Sequence, residues 1–124
     1  MRRWASVLAL LALVTLPAAA QILLVSGSYR VVKVDPEKHR FAVAVPAADP
    51  DIRQNWCYLD LSTRMVRRTV DADGWHRDEE LEPHQILQAL QKGDRIYLEG
   101  GRNWDLSIHA KRIYLPAELW PELH

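Results

Sequence analysis

From Tyr29 to Leu115 the larger apolar residues return at every second position in run after run, and at helical spacing only once. A period of two puts alternate side chains on opposite faces of a strand, so the pattern restricts the chain to a mainly β fold. "YRVVKVD" (29–35) and "RFAVAV" (40–45) are two β-rich runs joined by a turn that starts at Pro36, which predicts a hairpin. In the second run Phe41, Val43 and Val45 alternate with Ala42 and Ala44, one face of large side chains against one of small. "WCYLDLSTRMVRRTV" (56–70) is a third extended region. Its apolar parity passes from Cys57, Leu59 and Leu61 to Val66 and Val70, which asks for a bend near Ser62 and Thr63. "DADGW" (71–75) then turns the chain.

The single helical stretch is "EPHQILQALQKGD" (82–94). Pro83 suits a first helical turn, Ile86, Leu87 and Leu90 share a face, and Gly93 is the expected left-handed stop. "KGDRIYLEGGRNWDLSIHAKRIYL" (92–115) follows as a second hairpin. Ile96 and Leu98 are predicted inward, the turn is placed at Gly100, Gly101 and Asn103, and Leu106, Ile108 and Ala110 return on the inward parity. Beyond Ala110 that parity moves to Ile113 and Leu115, so a bulge is expected near Lys111.

Five strands with one short helix between strands 3 and 4 is the order of a small five-stranded OB-like barrel, in which closure removes free strand edges. The domain is expected over 26–115, with a C-terminal tail over 116–124. Within that frame "GDRIYLEGG" followed by Trp104, Ile108 and "AKRI" resembles the last hairpin of the bacterial OB-fold (BOF-like) family of small periplasmic proteins. "VVKVDPEKHRFAV" is similar to the first hairpin of related secreted OB modules. The resemblance spans Tyr29 to Val45 and Lys92 to Leu115, and implies a non-catalytic binding or envelope-stress role.

The first twenty residues point to the same compartment. Arg2 and Arg3 precede an apolar run from Ala5 to Leu16, Pro17 breaks it, and Ala18 and Ala20 stand where a leader is cut before Gln21. A signal peptide over 1–20 and a periplasmic or secreted product are expected, with no stable membrane anchor after cleavage. The whole chain has 16 Lys plus Arg and 16 Asp plus Glu, and the leader holds two of the basic residues, so the remainder carries 14 against 16, a net of −2. That balance gives no general attraction to nucleic acid. Cys57 is the one cysteine, so no internal disulfide is available. Its parity with Leu59 and Leu61 predicts a buried thiol, and an enzyme is not expected.

Candidate ligand-binding residues are Trp56, Tyr58, Arg68, Trp104, His109 and Lys111, the stacking aromatics and cations from which an OB groove is built. Arg53 and Arg77 could join Arg68 there. Trp104 is expected to cover the barrel mouth, while His109 and Lys111 face solvent beside Arg95 and Tyr97. The expected partner is a cell-envelope component or a periplasmic protein. The alternative is a periplasmic copper-binding protein using Met65, His76, His84 and His109, soft and borderline ligands suited to that metal. A third possibility, a structural subunit of an envelope complex, rests on the aromatic tail "YLPAELWPELH". "TVDADGWHRDEE" has partial calcium-loop spacing, but Thr69 and Arg77 occupy ligand positions, so an Asp-Gly turn is the better reading.

Overall fold

The computed structural model describes residues 23–46 and 55–124. The expected leader, the cut before Gln21, most of the loop after Pro46 and Arg53 therefore lie outside the described residues. The 13 residues of β1 (Leu23–Asp35) are enough to serve two partners. Its first part pairs antiparallel with β6 (Arg95–Arg102), from Leu23↔Arg102 to Arg30↔Arg95. Its second part pairs antiparallel with β2 (Arg40–Ala44), from Arg30↔Ala44 to Asp35↔Arg40. A register shift between Val31 and Lys33 leaves Val32 as an extra residue, and such a bulge bends the strand where it changes partner.

β2 pairs antiparallel with β3 (Asn55–Tyr58), β3 runs parallel to β7 (Ile108–Leu115), and β7 pairs back on β6. The circuit β1-β2-β3-β7-β6 closes a five-stranded, mixed OB-like barrel. The third extended region breaks where its parity changes. β3 meets β7 at Cys57↔Ile108 and Tyr58↔His109; after a turn at Asp60–Thr63, β4 (Arg64–Val70) meets it again from Arg64↔Arg112 to Arg67↔Leu115. Between the third and fourth barrel strands lies helix α1 (Pro83–Ala89), which packs against β4 and sends Ile86 into the core.

That core holds Val31, Phe41, Val43, Cys57, Met65, Ile96, Leu98, Ile108, Ala110 and Ile113, all fully buried. The predicted bulge in the last strand is present. Glu99 faces Arg112 and Gly100 faces Ala110, so Lys111 has no partner and the inward parity passes from Ala110 to Ile113. A side chain at Gly100 could not coexist with this bulge, because a Cβ there would overlap the main-chain oxygen of His109.

Several expectations are corrected. "HRDEEL" is a strand, β5 (His76–Leu81), which pairs with β4 across the Asp71–Trp75 turn although its side chains show no apolar alternation. Pairing with β4 and the ion pairs Arg67–Glu79 (2.7 Å) and Arg68–Asp78 (2.9 Å) hold it there. The Asp71 carboxylate accepts the N–H groups of Asp73 and Trp75, which makes the segment a hairpin turn. In β4 the inward residue is Met65, not Val66 or Val70, because the Asp60–Thr63 turn inserts a kink before it. Leu61 and Val45, expected inward, are exposed where their strands have ended, and Ala42 and Ala44 are buried as fully as Phe41 and Val43.

Helix α1 stops at Leu90, in extended conformation, rather than at Gly93. Gly93 does adopt a left-handed φ of 96°, but in the turn that delivers its N–H to the Val31 carbonyl at 2.8 Å. The last hairpin turns at 103–107, not at Gly100, and Leu106 occupies that turn with a φ of 73° and an exposed side chain.

Candidate functional site

β2 and β3 pair with Arg40 opposite Tyr58 and Ala42 opposite Trp56. Since Phe41 and Cys57 point into the core, the alternation of a strand sends Arg40, Trp56 and Tyr58 to the outer surface of the barrel. There the Arg40 guanidinium lies 3.7 Å over the Trp56 ring and 6.0 Å from the centre of Tyr58. It also donates to the Tyr58 hydroxyl at 3.2 Å and to the Asp35 carboxylate at 3.0 Å. These contacts raise the Arg40 pKa further, the Tyr58 hydrogen bond first among them. One cation thus fixes two aromatic rings, so neither has to be ordered when something binds.

Tyr58 in turn stands beside His109 of β7. The His109 Nε2 lies 2.5 Å from the Asp60 carboxylate, and the other oxygen of Asp60 accepts the Ser62 hydroxyl (2.6 Å) and N–H (2.7 Å). Hydrogen bonds from Ser62 first, and then the contact with His109, bring the Asp60 pKa down to about 2. The order Ser62, Asp60, His109 places the carboxylate between hydroxyl and imidazole. The hydroxyl proton therefore has no route to the imidazole of the kind a nucleophilic triad requires. Cys57 is buried behind this face, with its thiol pushed up to about 12 by desolvation.

On the β7 side of Trp56 and Tyr58 is a groove of about 310 Å³ whose far wall is Asp105, Leu106 and Ser107. That wall is prebuilt. Asn103 N–H bonds Ser107 O at 2.8 Å, Asp105 accepts the Ser107 hydroxyl at 2.6 Å, and the Arg102 guanidinium caps Leu106 O at 2.8 Å. The Ser107 bonds lower the Asp105 pKa. The groove therefore offers two immobilised rings, a carboxylate and an amide of Asn55, a surface suited to a ligand with both flat apolar and hydrogen-bonding faces. A second groove of about 340 Å³, mostly apolar, lies on the other flank of Asp60 between His39, Leu59, Leu61, Pro83 and His84.

Of the residues singled out from sequence, Trp56, Tyr58 and His109 come together on this face. Lys111 is exposed at the β7 bulge. His109 lies opposite Gly101, and Tyr97 opposite Tyr114, so the expected neighbours Arg95 and Tyr97 are not beside it; the displaced turn shifts the register. Trp104 does not cover the barrel mouth. It stands at the tip of the 103–107 turn, 97% exposed.

Arg68 belongs elsewhere. Its guanidinium is shared among Asp78 (2.9 and 3.2 Å), Glu122 (2.8 Å) and Leu119 O (2.9 Å), and it covers the Trp120 ring at 3.6 Å. This clamp, with Tyr114 against Trp120, binds the C-terminal tail to the barrel and commits the Arg68 guanidinium to contacts within the protein. The copper set is not assembled either. Met65 is fully buried in the core, and among the described residues no three His, Cys, Asp or Glu side chains are grouped to hold a metal ion.

Sequence reasoning missed Arg40 and Asp60, which only strand register places beside Trp56, Tyr58 and His109. No family model, curated protein or solved structure matches this chain.

Proposed function

We propose that this chain is a non-catalytic binding or accessory protein of the bacterial cell envelope, exported to the periplasm, that holds an envelope component or partner protein on the outer face of β2, β3 and β7. The observation that carries the reading is the Arg40 clamp on Trp56 and Tyr58 beside a prebuilt polar wall. Rings fixed in advance cost little ordering entropy on binding, and the β2–β3 face is where OB-like barrels take extended ligands. The leader pattern of residues 1–20 and the likeness of the two hairpins to periplasmic OB proteins support the compartment. No helix among the described residues is long and apolar enough to cross a membrane.

Cell fractionation of the tagged full-length chain tests the compartment, and retention in the cytoplasm would reject it. Co-sedimentation with purified cell-wall sacculi, with lipopolysaccharide, and pull-down from periplasmic extract test the face. Wild type should be retained by one of these and Trp56→Ala should not, while thermal unfolding shows that Trp56→Ala is folded at the assay temperature. Equal retention of the two proteins would move binding away from β2–β3.

A further inference from the structure

Trp56 and Tyr58 stand two residues apart on β3, about 7 Å along the strand, and both line the groove that faces the 103–107 turn. Arg40, stacked on one face of Trp56, does not line it, so the groove meets that ring away from the cation. The opposite wall is made for hydrogen bonding. Asp105 accepts the Ser107 N–H (3.0 Å) and hydroxyl (2.6 Å), both on Oδ1, so Oδ2 keeps its capacity to accept from a guest. Asn55 adds an amide, which both donates and accepts. Among the described residues no Lys or Arg lines this groove: Arg40 is held by Asp35 and Tyr58, and Arg102 by the Leu106 carbonyl.

We infer that this groove takes a neutral sugar ring of a glycan chain, with the C–H face of the sugar against Trp56 and Tyr58 and its hydroxyls on Asp105 and Asn55. The inference rests on the outer face of β2, β3 and β7 being the ligand face, and it names what that face selects. A pyranose carries the two surfaces in the required relation. The C–H groups on its flat side suit the electron-rich face of an aromatic ring, and the hydroxyls around its rim donate and accept. A carboxylate is the strongest acceptor a protein offers to such hydroxyls. Charge then decides among the ligands that stack on aromatic rings. Nucleotides and acidic sugars bring an anion, which here meets Asp105 with no free Lys or Arg to offset it, and the Ser107 bonds hold that carboxylate ionised by lowering its pKa. An extended peptide gains affinity from main-chain bonds, but the oxygens of Leu106 and Ser107 already accept from Arg102 and the Asn103 N–H. At about 310 Å³ the groove is at the small end of ligand sites, with room for a sugar ring or two and not for a bulky lipid. Asp105 thereby serves both as the hydroxyl acceptor and as the filter against anions.

Isotope-labelled protein, in the form that cells accumulate, is titrated with tetramers of glucose, mannose and N-acetylglucosamine, and with tetragalacturonate and AMP as anionic probes. The indole N–H signals, assigned by substitution, report which Trp responds, and calorimetry gives the affinity. The Trp56 signal should move with at least one neutral tetramer, that of Trp75 on the β4–β5 turn should stay, and neither anionic probe should bind. Trp56→Ala should weaken the neutral tetramer by at least about tenfold, and Trp56→Phe, which keeps a ring to stack on, by no more than about threefold. Asp105→Asn should weaken it by about tenfold and admit tetragalacturonate, because the acceptor and the repelling charge are lost together. Thermal unfolding verifies that each variant is folded. No response to any neutral tetramer, anionic probes bound as tightly as the neutral ones, or unchanged affinity in Asp105→Asn would each overturn the assignment. If the neutral tetramers fail while retention on sacculi, lipopolysaccharide or a periplasmic protein still depends on Trp56, the sugar is wrong and the ligand face stands; if no binding depends on Trp56, the face itself is lost.

Discussion

The hydroxyl of Thr63 donates a 2.7 Å hydrogen bond to the carbonyl of Ala110, 47 residues away, and accepts the N–H of Asp60 at 3.0 Å. Thr63 is the one buried polar side chain among the described residues. It lies where the third strand breaks into β3 and β4, against the point where β7 bulges at Lys111. One side chain therefore joins the two irregularities that let the barrel close. Thr63→Val keeps the shape and strands a buried carbonyl, so urea unfolding should show a loss of about 1–3 kcal/mol. Thr63→Ser should recover most of it, and a loss below about 0.5 kcal/mol in the Val variant, typical of surface sites, would show the bond to be incidental.

Gly100 serves the same bulge from the other strand. Because a Cβ would overlap His109 O, Gly100→Ala must push β6 and β7 apart, at a cost of about 2 kcal/mol or more. Gly27 is the matched control, since a Cβ there meets only the Tyr29 ring at 3.8 Å. Gly27→Ala should be neutral or stabilising by up to about 1 kcal/mol. Comparable denaturation midpoints for the two variants would contradict the bulge geometry.

Leu98 and Trp104 are expected to separate cleanly in thermal unfolding. Leu98 is fully buried, so Leu98→Ala should cost on the order of 2–5 kcal/mol through the cavity it leaves. Trp104→Ala removes a larger side chain from an exposed tip and should change stability by less than about 0.5 kcal/mol. A large loss at Trp104 would mean that the ring packs on the barrel after all.

Asp60 gives a pH signature. Its carboxyl titrates at about 2 in the folded protein against 3.8 for an ordinary Asp, so folding is favoured by the ionised form. The contribution is full above the unfolded value and disappears as pH falls through the folded one. The difference in melting temperature between wild type and Asp60→Asn should therefore shrink between roughly pH 4 and pH 2, below the range in which imidazole titrates. The side chain is about half exposed, so the effect is modest. A difference that stays constant down to the folded value would show that Ser62 and His109 do not hold the carboxylate.

Much of the barrel was legible because strand alternation is a local property. Ile96, Leu98, Ile108, Ala110 and Ile113 can be assigned inward from spacing alone, and so can the breaks in parity that became the Thr63 kink and the Lys111 bulge. Helix α1 announced itself through Pro83 and the spacing of Ile86 from Leu90. Cys57 was legible for the same reason, its neighbours at two-residue spacing marking it as inward.

Tertiary structure decided the rest, wherever a residue's role depends on a partner distant in sequence. "HRDEEL" has no strand pattern of its own and becomes β5 because β4 lies beside it with Arg67 and Arg68 to meet its acids. Arg68 reads as a free cation until Asp78, Glu122 and Trp120 converge on it. Trp104 reads as a barrel cover until the turn falls at 103–107 and carries it outward. Arg40, Trp56, Tyr58 and His109 become one surface only through the registers of β2 on β3 and β3 on β7. Sequence alone determined the inward side chains of the last two barrel strands, Ile96, Leu98, Ile108, Ala110 and Ile113, since that follows from the two-residue period of a single strand, but not those of β4 or of the strand ends, where a kink or a turn resets the period. Which outward side chains share a surface was left to register and closure, and those are set by the packing of the whole barrel.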